Sequence, residues 1–126
     1  MKKFALFLLF VSFSSMSCMT GHWEVVGKSN SFAIDLVQTG NNISGKYCFI
    51  TNNGNRIDCA DKGDDDNIKG KVENGVADIQ FESTFGGSGA ATAKISNTKL
   101  IYIIKDKTPF VQASMSVPSK IELSKK

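Results

Sequence analysis

From Gly21 onward apolar side chains recur at every second position, and each run is broken after about 8–12 residues by Gly, Asn or Asp. Period two is the strand period, so each run can bury one face and wet the other. Phe32, Ile34 and Leu36 alternate with Ala33, Asp35 and Val37, and Thr39-Gly40-Asn41-Asn42 reads as a turn. Ile43, Gly45, Tyr47 and Phe49 form the next alternating set, and residues 56–60 return antiparallel to it. Residues 68–72 follow an acidic loop, and Glu73-Asn74-Gly75 turns the chain into Ala77, Ile79 and Phe81. Gly86-Gly87-Ser88-Gly89 leads into residues 90–95, and Asn97 reverses the chain into residues 99–105. A Pro-bearing stretch, residues 108–119, precedes a last short strand, residues 120–123. No segment reads as a helix. Short connections between so many short strands predict an all-β chain paired as a meander. The expected fold is a small antiparallel β-barrel of about eight strands, with a β-sandwich as the alternative.

Asn42-Ile43-Ser44-Gly45-Lys46 recurs as Asn67-Ile68-Lys69-Gly70-Lys71. Glycine in mid-strand weakens a flat strand, so its use there is a bend or a close backbone approach, as closure of a small barrel requires. The recurrence is equally what a Gly-rich β protein produces without any repeat architecture.

Three cysteines leave one odd. Cys48 and Cys59 flank a segment centred on Asn53-Gly54, a strong hairpin signal. Folding it about that dipeptide sets Ile50 opposite Ile57 and Cys48 opposite Cys59. With a four-residue loop, residues 52–55, the cysteines fall on a non-hydrogen-bonded pair, where side chains come close enough to bridge. The expectation is a Cys48–Cys59 disulfide; two reduced, buried thiols are the alternative.

The amino-terminal segment points to an oxidising compartment. Lys2 and Lys3 precede an apolar stretch, residues 4–13, too short to span a bilayer as a stable helix, and Ser15 and Ser17 stand where a signal peptidase inspects for small residues. Residues 1–17 therefore read as a bacterial-type secretory signal and residues 18–126 as a single exported domain. The new first residue is Cys18, the acceptor position of bacterial lipoproteins, although Ser15 stands where those usually carry Leu. Two readings stay open: a periplasmic protein lipid-anchored to the outer membrane through Cys18, and a soluble periplasmic protein with an incidental thiol. Removing Lys2 and Lys3 from the 15 basic residues leaves 13 against 12 acidic ones. A nucleic-acid binder needs a clustered cationic surplus that this balance does not supply.

Gly21-His22-Trp23, opening the first strand, resembles the Gly-x-Trp start of the lipocalin and avidin barrels, and Ile43-Ser44-Gly45-Lys46-Tyr47 is similar to an early avidin-like strand. The resemblance implies a calycin-type barrel with Trp23 closing one end. The chain departs from avidins in having one Trp where biotin sites use several, and from lipocalins in lacking a C-terminal amphipathic helix. The implication is architectural, with biotin binding disfavoured.

Catalytic inventories fail. His22 is the only histidine and sits beside Trp23, which suits a packed or surface imidazole better than a triad. Gly86-Gly87-Ser88-Gly89 lacks the final glycine and the following helix of a nucleophile elbow. One His and a cysteine pair leave no zinc set, and Asp64, Asp65 and Asp66 do not match an EF-hand loop. The chain is expected to be no enzyme and to hold neither metal nor cofactor.

Two features favour binding. Residues 100–104 are apolar on both faces, so their outer face needs a cover, supplied either by a protein partner or by the C-terminal segment with Phe110, Val111 and Val117. In the hairpin, Cys48, Ile50, Ile57 and Cys59 share one face, while Tyr47, Phe49, Arg56 and Asp58 share the other. If the bridge faces inward, the second set is displayed as a contact surface. If Tyr47 and Phe49 fill the barrel, that surface vanishes. The functional expectation is inhibition of a periplasmic protein partner, a peptidoglycan hydrolase or a delivered toxin. The hairpin, or the loop with Asp64, Asp65 and Asp66, would occlude the partner's active site. A lipocalin-like carrier of a small apolar ligand and a structural envelope lipoprotein are the alternatives.

Overall fold

A computed structural model describes residues 18–126; the expected export signal, residues 1–17, lies outside them. Nine strands follow the chain: β1 (Gly21–Val26), β2 (Ser31–Thr39), β3 (Asn42–Thr51), β4 (Arg56–Cys59), β5 (Ile68–Glu73), β6 (Val76–Glu82), β7 (Ser88–Ser96), β8 (Lys99–Asp106) and β9 (Lys120–Lys125). All pairings are antiparallel. Eight of the strands close into an up-and-down barrel in sequence order, with β4 attached beside the upper half of β3. The ring shuts where β1 meets β9, through Trp23 opposite Lys125 and Glu24 opposite Ser124. The expected barrel and meander are therefore present.

Turn chemistry explains the hairpins. Asn74 (φ 53°) and Gly75 (φ 79°) form a two-residue connection with both residues in the left-handed region, as a type I′ turn demands. Asn97 (φ 57°) serves the β7–β8 reversal. Between β3 and β4 the connection is the four-residue one, with Asn52 and Asn53 both at φ 57°.

The two glycine motifs meet each other. In the β3–β5 pairing Asn42 lies opposite Lys71, Ile43 opposite Gly70, Ser44 opposite Lys69, and Gly45 opposite Ile68. The motifs are thus related by a local two-fold axis between Ser44 and Lys69, and each inward isoleucine faces the other motif's glycine. Neither glycine could carry a Cβ. It would stand 1.9 Å from the Asp35 carbonyl oxygen at Gly45, and 2.2 Å from that of Asp78 at Gly70. The close approach expected of barrel closure occurs at both.

An aromatic cluster fills the barrel: Tyr47, Phe49, Phe81, Tyr102 and Phe110 pack with ring centroids 4.5–6.3 Å apart. Both ends are plugged. At one, Trp23 donates its indole N–H to the Met19 carbonyl at 2.9 Å, and both side chains are buried. At the other sits α1 (Thr108–Gln112), a single turn that the sequence reading missed. Five residues are too few to show helical periodicity, but Pro109 suits the first turn, where its absent N–H costs nothing. The turn drops Phe110 onto Phe81, stacked at 5.0 Å. The C-terminal segment is therefore no outer cover for residues 100–104, because Phe110 and Val117 join the interior core and Val111 is exposed. Ile101 and Ile103 face outward, half-buried, beside Lys94, Thr92, Lys120 and Glu122, whose longer stems can shield apolar surface.

Candidate functional site

The hairpin register is as expected, with Cys48 opposite Cys59 and Ile50 opposite Ile57, and the two cysteines form a disulfide across a Cα–Cα distance of 3.9 Å. Its orientation removes the predicted contact surface. Tyr47 and Phe49 are each 1% exposed and Asp58 0% exposed, all inside the barrel. Parity along β3 sets this orientation, because Ile43 and Gly45, on the same face as Tyr47 and Phe49, already face the core. Arg56 and Asp58 form no ion pair. Arg56 donates Nε–H to the Ala113 carbonyl at 2.9 Å, whereas Asp58 accepts from the Tyr47 hydroxyl at 2.7 Å and from the Thr84 N–H and hydroxyl at 2.9 Å each. Burial and the Asp58 carboxylate push the Tyr47 hydroxyl far above its ordinary range.

What faces outward is the other set, and the barrel register arranges it as a grid. Val26, Ser31, Ile50 and Ile57 align across β1 to β4, and below them run Glu24, Ala33, Cys48 and Cys59. A third row, His22, Asp35 and Lys46, is charged. Val26 is 71% and Ile57 53% exposed. Beside the first row lies a surface groove of about 300 Å³, lined by Val26, Ser29, Ser31, Ile50, Asn53 and Gly54 among others.

The hairpin tip is held by two neighbouring segments, the β1–β2 loop and residues 113–116. Asn53 donates its N–H to the Ser29 carbonyl at 3.0 Å, and Asn52 bonds Ser114 O and Ser116 N through its amide. Arg56 adds the bond to Ala113. A surface tied down in this way loses little entropy on docking.

The acidic loop, residues 60–67, leaves the barrel wall in the gap between β4 and β5. Asn67 bridges the gap with its side chain: its amide accepts from Tyr47 N at 2.8 Å and donates to Tyr47 O at 3.3 Å, standing in for a missing ladder pair. Asp64 accepts from the Asp61 N–H at 2.7 Å, and Asp66 pairs with Lys46 at 2.6 Å. Asp64, Asp65 and Asp66 are all exposed, and Asp65 has no ion-pair partner among the described residues. Through Lys46 the loop joins the charged third row of the grid. In that row His22 bonds Asp35 at 2.6 Å and Glu24 at 2.8 Å, and these two carboxylates raise its pKa above the usual imidazole range.

Cys18 is exposed at the Met19 end of the barrel, its thiol bonded to Thr20 Oγ1 at 3.1 Å. Among the described residues no three His, Cys, Asp or Glu side chains converge on a metal-sized site. No family model matches the chain, and neither a curated protein nor a solved structure matches it significantly.

Of the residues expected from sequence, the structure thus brings Asp64, Asp65 and Asp66 to the surface beside the disulfide, and places Tyr47, Phe49 and Asp58 inside. Missed were Val26, Ile50 and Ile57 as the displayed set. Strand parity carried the signal, since Ile43 through Phe49 reads as one continuous inward set.

Proposed function

We propose that the chain is an exported, non-catalytic protein that neutralises a protein partner by docking against it through the outer face of the β3–β4 hairpin. The observation that supports this reading is the in-register row beside the disulfide in which Val26 and Ile57 are exposed and Ile50 is half-buried, on a tip anchored by two neighbouring segments. Apolar residues at the centre with a charged rim suit a protein contact, and the adjoining acidic loop would steer a cationic partner toward it. Periplasmic toxins and peptidoglycan hydrolases are the partner classes proposed, with the hairpin and Asp64, Asp65 and Asp66 occluding the active site. Cys18, exposed next to the plug residue Met19, lies at the opposite end from the hairpin tip, so acylation there would tether the protein to the outer membrane with the tip pointing away from the bilayer. The aromatic filling of the barrel speaks against an enclosed apolar ligand.

The test is affinity capture from periplasmic extract with the purified protein and with an Ile57→Asp variant. A stoichiometric partner that inhibition assays show to lose activity, and that Ile57→Asp fails to retain, supports the proposal. Equal capture by the variant, or native mass spectrometry showing a lipid inside the barrel, overturns it.

A further inference from the structure

The wall that continues from β3 through its partner β5 carries a trough of about 690 Å³ on the outer face of β5 to β8. Small residues make its floor. Ala90 and Thr92 of β7 point outward into it, while Gly70 of β5 and Ala91 of β7, on the inward parity, line it with main chain. Lys69 and Lys71 rim it on one side and Lys105 on the other.

Lys105 reaches that position by an irregularity of the ladder. Ala90 pairs with Asp106 and Ala91 with Ile104, so β8 has one extra residue at this point, and that residue is Lys105. Bulges of this kind re-aim a side chain and recur next to functional sites. The register also decides where the trough is cationic. Lys71 lies opposite Asp78, an offsetting charge, and Glu73 continues that end as acidic. Lys69 instead lies opposite neutral Gln80, which lies opposite Ala90 beside the bulge. Neither Lys69 nor Lys105 is in an ion pair among the described residues.

We infer that the Lys69–Gln80–Lys105 end of this trough binds the phosphate of a small phosphate-bearing molecule. Two ammonium groups on opposite rims and a neutral amide between them offer charge-assisted donors to a multi-oxygen anion, and the glycine and alanine floor lets it approach the backbone. Glu73 and Asp78 oppose any polyanion laid along the whole trough, so the occupant is a single anionic head with a neutral or cationic remainder. A soluble phosphomonoester and an anionic lipid head group share that chemistry.

Glycerol 3-phosphate titrated into the ¹⁵N-labelled protein tests the first source, and flotation with phosphatidylglycerol vesicles, against phosphatidylcholine vesicles, tests the second. The expected result with glycerol 3-phosphate is saturable amide shifts confined to residues 69–71, 80, 90–92 and 105. Lys69→Gln combined with Lys105→Gln should weaken the binding at least about tenfold, and Lys94→Gln, on the same wall outside the trough, should leave it unchanged. Flotation with phosphatidylglycerol alone, lost in the double variant whose amide spectrum stays folded, supports the inference with the head group as source. Unsaturable shifts spread over all lysines, or equal binding by the double variant, overturn it, as does the absence of binding in both arms.

Discussion

The Tyr47 hydroxyl donates to the Asp58 carboxylate at 2.7 Å inside the barrel, across the β3–β4 pair, where Asp58 also accepts both the N–H and the hydroxyl of Thr84. One carboxylate therefore ties β3, β4 and the loop after β6 together at the place where the backbone ladder is interrupted. Removing it takes an acceptor from three donors and leaves the buried Tyr47 hydroxyl only the longer bond to the Glu82 carbonyl at 3.2 Å. Asp58→Ala is expected to cost about 3 kcal/mol in urea unfolding. Asp58→Asn, which keeps an acceptor oxygen and the shape, should cost less, and Tyr47→Phe about 1 kcal/mol. Equal stability of Asp58→Ala and the parent would show that the network contributes nothing.

Alkaline pH should expose the same burial. Tyr47 and Tyr102 are the chain's two tyrosines, and burial pushes both hydroxyls well above the ordinary value of 10.0, with Asp58 adding to the effect at Tyr47. Near and above that value the unfolded chain loses protons that the folded chain keeps. Their contribution is therefore complete below about pH 10 and lost as pH rises further. Tyrosinate absorbance should appear only together with the circular-dichroism transition. Ionisation of either residue in a still-folded protein would contradict their placement.

Because the disulfide faces outward, its loss leaves no hole in the core. Cys48→Ser with Cys59→Ser removes a cross-link of sequence separation 11, for which chain entropy gives about 3 kcal/mol. Thermal melting should fall on the order of 10–20 °C for a domain of this size, while the near-ultraviolet spectrum of the aromatic cluster is retained. Loss of that spectrum at low temperature would mean that the bridge shapes the core as well as stapling it.

These relationships differ in how far they can be read from sequence. The Cys48–Cys59 register follows from counting outward from Asn53-Gly54, and the barrel follows from alternation with short turns, because both are set by local spacing. Which face of the hairpin turns inward is a contest between two apolar sets, and the local segment Cys48 to Cys59 reads the same either way. It is decided by Ile43 and Gly45, further down β3, whose parity commits Tyr47 and Phe49 to the core. The Asp58–Thr84 bond and the Asn67 bridge to Tyr47 join residues distant in sequence, which no periodicity marks. The helical turn at Pro109 is too short to announce itself, and Lys105 enters the trough through a bulge that the smooth alternation of β8 conceals.

His22 offers a pH dependence at the other extreme of burial. Hydrogen bonds to Glu24 first and Asp35 second raise its pKa above the usual 6.5. The favourable charge is fully present below that unfolded value and is lost as pH rises through the folded one. With the side chain 40% exposed, solvent screening keeps the effect under about 1 kcal/mol. NMR titration should give His22 a pKa above 6.5 that moves down in Glu24→Gln and, separately, in Asp35→Asn. A value unaffected by both substitutions would separate the imidazole from its neighbours.

The paired glycines give the sharpest test of barrel closure. At Gly45 an added Cβ would meet the Asp35 carbonyl oxygen at 1.9 Å, and at Gly70 that of Asp78 at 2.2 Å. Both obstacles are backbone, so neither can swing aside as a side chain would. Gly45→Ala and Gly70→Ala should each therefore force two strands apart, at about 1–3 kcal/mol or more in chemical unfolding. Gly54→Ala is the control: no atom lies within 4 Å of its added Cβ, and its cost comes only from φ +88°, expected at about 1 kcal/mol. The clash at Gly45 opens the β2–β3 seam and that at Gly70 the β5–β6 seam, on the two sides of the β3–β5 pair. Their double variant should depart from additivity, because β3 and β5 pair directly and a displacement of one strand is passed to the other. Additive losses would mean that each clash is absorbed locally and that the two motifs do not act as one closure device.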